Sequence, residues 1–263
     1  DQVIQDWDAK MATDPTTEKF NAFEIGLNVN SDDGTMAGKI NFYSTTWSDR
    51  IQTKYIQNLD GDDDILYLTG IQQTHTGIET EFSAQLHSMV RTDIGIGIGN
   101  WGFTDDASGT YRDGDADLEF NYALKDSKVG DMPQLTLSAV FTITPTEGLA
   151  IQIINRYYDL HYSDWSPSSR EWSGEGQAFR NNSWRAPGYN VLDIHGSYKL
   201  PFELGSAKPT LFVHIFNALD ATYIQDAVDN SSYNGWSSRS QAADAEVFFG
   251  MPTVFNAGLS IDF

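Results

Sequence analysis

Apolar and polar residues alternate with a period of two through most of this chain. That period belongs to the β-strand, whose successive side chains point to opposite faces of a sheet. From Phe20 to Asn30, the residues Phe23, Ile25, Leu27 and Val29 share one face, and Glu24, Gly26 and Asn28 the other. Met36 to Trp47 follows, then Gly77 to His87, where Ile78, Phe82, Ala84 and Leu86 oppose Glu79, Glu81, Ser83 and Gln85. Ile94, Ile96 and Ile98 alternate with Gly95, Gly97 and Gly99. Gln134 to Thr144, Leu149 to Tyr162, Asn190 to Leu200 and Thr210 to Ala218 continue the series, and Thr253 to Phe263 makes a ninth segment. Asn155 falls on the face that Leu149, Ile151 and Ile153 mark as apolar, which predicts a bulge or a register change there. Between Thr210 and Ala218 both faces carry large apolar residues, so the pattern alone leaves the outward face open.

The connections alternate between short and long. Short ones are Ser31 to Gly34, His87 to Asp93, Pro145 to Gly148 and Pro201 to Lys208, with the Asp-Gly and Pro-x-x-Gly pieces that make tight turns. Long ones run about from Ser48 to Thr76, Phe103 to Pro133, Asp164 to Tyr189 and Ala221 to Pro252. A β-sandwich has no reason to sort its loops this way, whereas outer-membrane barrels have short periplasmic turns and long extracellular loops. No stretch approaches the roughly 18 apolar residues of a transmembrane helix. The expected fold class is therefore all-β, an antiparallel transmembrane β-barrel.

The last segment sharpens this expectation. Phe255, Ala257, Leu259, Ile261 and Phe263 share one face, and the segment stops on an aromatic residue. An uncapped apolar edge invites unwanted pairing in water, whereas a barrel strand has a partner on both sides. If the last strand runs toward the short-turn end, counting back makes the first strand run the same way, an odd total. Single-chain bacterial barrels have even strand numbers, so about nine strands are expected to be the C-terminal portion of a larger barrel. Residues 1–19 are expected to be a loop or linker from a preceding strand, and residues 20–263 the barrel segment.

Composition narrows the partners. The chain has 16 Lys and Arg against 37 Asp and Glu, a net charge of -21 that repels nucleic acid. There is no Cys, hence neither a disulfide framework nor a thiolate metal site. The 15 Phe, 12 Tyr and 7 Trp suit strands and membrane interfaces.

Several blocks resemble, in order and spacing, the C-terminal half of a TonB-dependent outer-membrane receptor. They are EKFNAFEIGLNVNSDDGTMAGKINFYSTTWSDRI, THTGIETEFSAQL, RAPGYNVLDIHGSYKLP, TLFVHIFNALDATYI and FFGMPTVFNAGLSIDF, together covering the region from Glu18 to Phe263. The resemblance implies a barrel of about 22 strands around an N-terminal plug. No plug is present in this sequence. It also implies uptake of a scarce nutrient, such as a ferric siderophore or another large ligand, across the outer membrane of a Gram-negative bacterium, with energy from the TonB complex reaching it through the missing plug. Asn217 and Asp220 match residues at the extracellular end of the penultimate strand. Gly258, Ile261 and Phe263 match the signal read by the barrel-assembly machinery. Lipid and lipopolysaccharide are the implied surroundings.

No catalytic constellation stands out. His75, His87, His161, His195 and His214 are scattered without an HExxH, there is no GxSxG, and no cofactor motif is found. His195 is expected to face the lumen. The region from Asp164 to Tyr189 differs in character, with Trp165, Trp172 and Trp184 beside Arg170, Arg180 and Arg185. Rings stack and guanidinium forks bind carboxylate or catecholate oxygens, so these residues are candidate ligand contacts, although the tryptophans can equally pack the loop. Arg156 and Tyr158, if lumen-facing, extend that surface, and Trp236 adds to it with Tyr233 and Arg239. Asp60, Asp62 and Asp64 resemble a calcium loop in composition only, since the EF-hand spacing is missing. Tyr43, Trp47, Trp101, Phe103, Tyr198 and Phe202 sit near segment ends and are expected in the interfacial girdles.

Two other readings stay open: a stand-alone outer-membrane diffusion pore, and a soluble glycan-binding β module. The membrane reading predicts that the refolded chain is monodisperse only in detergent. A monodisperse protein in plain buffer would contradict it, and single-channel conductance of the isolated chain would favour the pore.

Overall fold

The computed structural model describes residues 17–57, 61, 63–113, 116–172, 178, 180–202, 205–231 and 242–262. Its strands are β1 (Lys19–Asn30), β2 (Met36–Gln57), β3 (Asp63–His87), β4 (Val90–Phe103), β5 (Ala107–Asp113), β6 (Ala116–Tyr122) and β7 (Pro133–Thr146). There follow β8 (Leu149–His161), β9 (Glu171–Trp172), β10 (Tyr189–Lys199), β11 (Lys208–Phe216), β12 (Ile224–Asp229), β13 (Ala245–Phe249) and β14 (Val254–Asp262). All nine periodic segments are strands. They pair antiparallel side by side as β1, β2, β3, β4, β7, β8, β10, β11 and β14, a meander in which each strand neighbours the next long one. Among the described residues β1 and β14 lie at opposite edges and do not pair with each other.

Pairing register aligns the apolar sides into one continuous face. Leu27 lies opposite Ile40, which lies opposite Thr80, and that opposite Ile96, Leu137 and Tyr157 in turn. At the far edge Leu211 faces Leu259, and Val213 faces Ala257. Ile25, Leu27, Phe82, Ile98, Leu211 and Leu259 are all exposed on this face. A soluble module would bury a band of this extent; hydrocarbon is the medium that suits it. The opposite face carries Glu79, Glu81, Ser138, Gln152, His195 and Asn256, the polar row that lines a barrel lumen. His195 is thus on the lumen side, and so are Phe212 and Phe216, while Leu211, Val213 and Ile215 face outward.

Asn155 needs no bulge. Its strand stays in register through it on both sides, opposite Ala139 and Leu192. Asn155 lies at the middle of β8, is half-buried between its neighbours, and is accommodated as one neutral polar residue without a break in the ladder.

Short turns close the strands at one end and elaborate connections rise from the other. The turn after β1 is held by Asp33, whose carboxylate accepts from the Ser31 hydroxyl at 2.7 Å and the Thr35 amide at 3.0 Å. Those bonds hold its carboxyl at about 2. The region expected as a long loop from Ser48 to Thr76 is mostly strand, since β2 and β3 continue past the membrane band. They persist because Leu66, Leu68 and Ile71 gain a cover from the β5–β6 hairpin, through Tyr111 and Tyr122, and from Trp165. This small core is the most deeply buried part of the described chain. Leu66, Leu68 and Tyr122 are essentially inaccessible, a burial that contributes about 1.5–3 kcal/mol per large side chain.

Gly130 shows how tightly the covering segments meet. A Cβ there would lie 2.8 Å from the Ser163 carbonyl carbon and 3.0 Å from the Asp164 Cα, beside the Asp131 N–H bond to the Tyr162 carbonyl. Gly130→Ala is expected to destabilise the extracellular end by about 1–3 kcal/mol through overpacking. Gly196→Ala, with open space around its Cβ, should be neutral. Thermal unfolding followed by tryptophan fluorescence compares the two, and equal midpoints would contradict this packing.

Candidate functional site

A break in register creates the site. Up to Trp47 the odd-numbered residues of β2 face inward, but the pairing with β3 shifts between Trp47 and Arg50 and again between Arg50 and Gln52. Asp49 takes φ 56° at this bulge, and Gly70 on the partner strand takes φ 75°, a conformation glycine adopts at no steric cost. Bulges re-aim side chains, and beyond this one the even-numbered Arg50 and Gln52 take over the inner side. The start of β1 braces it. Glu18 accepts from the Trp47 indole N–H at 3.2 Å and from the Ile51 amide at 3.0 Å, and Lys19 Nζ reaches Asp49 at 2.8 Å.

A cavity of about 450 Å³ opens beside the bulge, at the extracellular end of the inner face. One wall is aromatic. The Arg50 guanidinium lies 4.6 Å over the Trp47 ring, and the His75 ring stacks on Trp101 at 5.4 Å. Trp101 Nε1 donates to the Tyr43 hydroxyl at 2.8 Å. Both of these rings lie flat on the sheet over glycines that face each other, Tyr43 over Gly77 and Trp101 over Gly99. A Cβ on Gly99 would be 2.6 Å from Trp101 Nε1, so only glycine leaves room for this packing. The other wall brings Asp131, Asp164 and Trp165. Burial pushes the Asp164 carboxyl above its usual range, with Asp131 and Asp226 adding to the effect and Arg50 opposing it. Among the described residues neither Arg50 nor Asp131 nor Asp164 has an ion-pair partner. The cavity therefore offers stacking surfaces, one guanidinium and two carboxylates without ion-pair partners among the described residues, the Asp164 carboxylate accepting from the Trp165 amide at 2.9 Å.

Tyr43, Trp47, Trp101 and Phe103 were expected in the interfacial girdles, and the register corrects this. They share the inner row with Glu79 and Glu81, because strand parity and not nearness to a strand end decides which face a ring takes. Tyr198 does lie on the outer face, opposite Leu149 and Leu211.

The candidate contacts drawn from the sequence are dispersed. Arg156 and Tyr158 do face the lumen. Arg156 is ion-paired with the buried Asp193, while Tyr158 begins a ladder with Tyr189 at 5.1 Å and Tyr223 a further 4.5 Å on. Trp165 is buried in the loop core, 4.9 Å from Phe103, and donates to the Lys128 carbonyl at 3.0 Å. Arg170 is inaccessible, lies 4.4 Å over that indole and donates to the Asn181 carbonyl. Trp172 pairs with Asn121 in the sheet. Arg180 forms a fork on Asp106 at 2.5 and 2.6 Å, and Arg185 reaches Asp159 at 2.6 Å. The Trp184 amide donates to Asp229 at 2.6 Å. Of these side chains Trp165 alone lines the cavity. Trp236, Asp60, Asp62 and Phe263, with Tyr233 and Arg239, lie outside the described residues. Asp64 accepts from the Tyr111 hydroxyl at 2.5 Å, and no metal-holding cluster occurs among the described residues.

Arg50 escaped sequence reading because the strand pattern ends at Trp47, before the bulge. The faint signal was Trp47 to Arg50, an aromatic and a cation three residues apart at a strand end. His195 and His214, scattered in sequence, are brought directly opposite each other by pairing.

The TonB dependent receptor-like, beta-barrel family model matches residues 13–218. No curated protein sequence matches the chain. Among solved structures, the Ferric-Catecholate import receptor Fiu from K12 E. coli in its closed form is similar with TM-score 0.59 at 14% identity, over 95% of this chain and 29% of that one. The copper transporter OprC is similar with TM-score 0.59 at 15% identity, over 94% of this chain and 31% of that one. P. aeruginosa FpvA, bound to a heterologous pyoverdine and iron, is similar with TM-score 0.55 at 15% identity, over 92% and 27%. The likeness is one of fold, and the chain spans less than a third of each.

The Arg180–Asp106 latch gives a pH-dependent expectation. Arg180 holds the Asp106 carboxyl below its usual range, so the latch is fully present above about pH 4 and is lost as pH falls through the lowered value. A double-mutant cycle of D106N and R180Q, measured by denaturant unfolding, should give about 0.5–1 kcal/mol of coupling at pH 7 and near zero in acid. Coupling that persists in acid would contradict the latch.

Proposed function

The chain belongs to the TonB-dependent receptor-like β-barrel family, and from that premise we propose that it is part of an outer-membrane receptor for TonB-energised uptake of a scarce nutrient. The family is one of Gram-negative outer-membrane proteins whose members bind nutrient ligands and TonB. In this reading β1 to β14 supply wall and extracellular surface, and coupling to TonB runs through a plug. The exposed apolar face meets lipid, with lipopolysaccharide around the outer loops. The last strand, with Gly258, Ile261 and Phe263, is what the barrel-assembly machinery reads. No step of this work breaks a covalent bond, and the reading is of a transporter.

The observation that carries the proposal is the uncommitted Arg50 over Trp47 in an aromatic cavity at the extracellular end of the inner face. A guanidinium in this setting binds carboxylate or catecholate oxygens by charge-assisted hydrogen bonds, while Trp47 and the His75–Trp101 stack present faces to planar groups. Ferric siderophores combine these features, and they are the proposed ligand class. Arg156, Tyr158, Trp165 and the neighbouring Trp172, Arg180, Trp184, Arg185 and Arg170 then act mainly as the frame that holds the loops around the ligand, with Trp236 a further proposed contact.

Arg50→Ala is expected to weaken binding of the cognate ferric chelate at least tenfold, consistent with the loss of about 1.5–3 kcal/mol for a charged hydrogen bond. Arg185→Ala, at the exposed rim, should change it less than threefold. Titration of the receptor with a panel of catecholate, hydroxamate and carboxylate iron chelates checks this. Affinity that is indifferent to Arg50 for every chelate would contradict the assignment.

A further inference from the structure

We propose that His195 and His214 form a two-imidazole seat for a divalent transition metal of tetragonal preference, Cu(II) or Ni(II), on the inner wall. The two residues are directly opposite in the β10–β11 register, both on the polar face. Their Nδ1 atoms are 2.8 Å apart and their ring centroids 4.8 Å apart. In the metal-free pair one Nδ1 donates to the other. Moving that proton to Nε2 of the same ring frees both Nδ1 lone pairs with no net proton gained or lost, and a rotation of the two rings about their side-chain bonds brings them onto one metal.

The spacing discriminates between metals. Metal–imidazole bonds of about 2.0–2.1 Å place two nitrogens about 2.8–3.0 Å apart at a right angle, and about 3.3–3.4 Å apart at the tetrahedral angle. The observed separation matches the right angle, the cis arrangement of square-planar and tetragonal sites. Phe216 lies 5.3 Å from the His195 ring and Phe212 lies 5.3 Å from the His214 ring, apolar neighbours that hold the two imidazoles in place and lower the dielectric on one side of the seat. Gly258 on the adjacent strand lets the Phe212 ring lie flat, since a Cβ there would be 2.5 Å from it. Water completes the coordination, because the described residues supply no third protein ligand. The strongly negative chain favours accumulation of cations near the wall. The seat is separate from the Arg50 cavity, so either reading can fail without the other.

The test uses the complete polypeptide that carries this chain, folded in detergent and titrated with copper(II) chloride. Electron paramagnetic resonance should show one tetragonal Cu(II) per protein with two equatorial nitrogens. H195Q and H214Q should each weaken binding at least tenfold, and Zn(II) should bind more weakly than Cu(II), as the general affinity order and the bite angle both require. A wild-type spectrum with one nitrogen or none overturns the proposal, whether or not either variant folds. Undiminished affinity in the folded double variant also overturns it, by placing the copper away from His195 and His214.

Discussion

A backbone crossing hydrocarbon finds no water for its N–H and C=O groups, so each must be satisfied within the protein. For this chain that requirement forces a ladder of antiparallel strands, and the ladder imposes a strict alternation of side chains between two media. The outer row of Leu27, Ile40, Ile96 and Leu137 and the inner row of Glu79, Ser138, Gln152 and His195 are two consequences of one register. Gly77, Gly97 and Gly99 are a third: glycines on the lumen row make room for rings and hydroxyls lying flat, where a side chain would collide with Tyr43, Thr136 or Trp101.

Above the hydrocarbon the constraint relaxes, and the chain uses that freedom. The bulge at Asp49 and the positive-φ Gly70 change the parity of β2 and β3, turning Arg50 inward and placing Leu66 and Leu68 where a hairpin covers them. Asp193, buried on β10, ties three strands together by pairing with Arg156 and accepting from the Asn217 amide at 2.8 Å. Asn217 in turn donates to the carbonyls of Ala221 and Met251, and Thr253 donates from its hydroxyl to the Asn217 carbonyl at 2.7 Å. The long connection after β11 is thereby pinned at both ends, and β14 enters in register. Residues that look like ligand contacts by composition are largely engaged in this framework.

The wall was legible because its signal is local. Each strand states its own period, and the parity of short and long connections states its direction. What was not legible depends on register across strands. The inward turn of Arg50 follows a two-residue irregularity that no alternation reveals, and the lumen position of Tyr43 and Trp101 follows from pairing with Gly77 and Gly99. The burial of Trp165 and Arg170 follows from a hairpin some fifty residues earlier in the chain. His195 and His214 meet only because β10 and β11 pair with those residues opposite.

The central claim is that one register separates a lipid face from a lumen face. The absence of native cysteine lets single cysteines be placed at Leu27, Ile40, Leu137 and Val213 on the outer row and at Asn28, Asn41, Ser138 and Ser197 on the inner row. With nitroxide labels in a bilayer, the outer positions should relax through collision with oxygen, and the inner positions should be shielded from it and more accessible to a water-soluble paramagnetic reagent. Equal oxygen accessibility along both rows, or alternation in the opposite phase, would contradict the account.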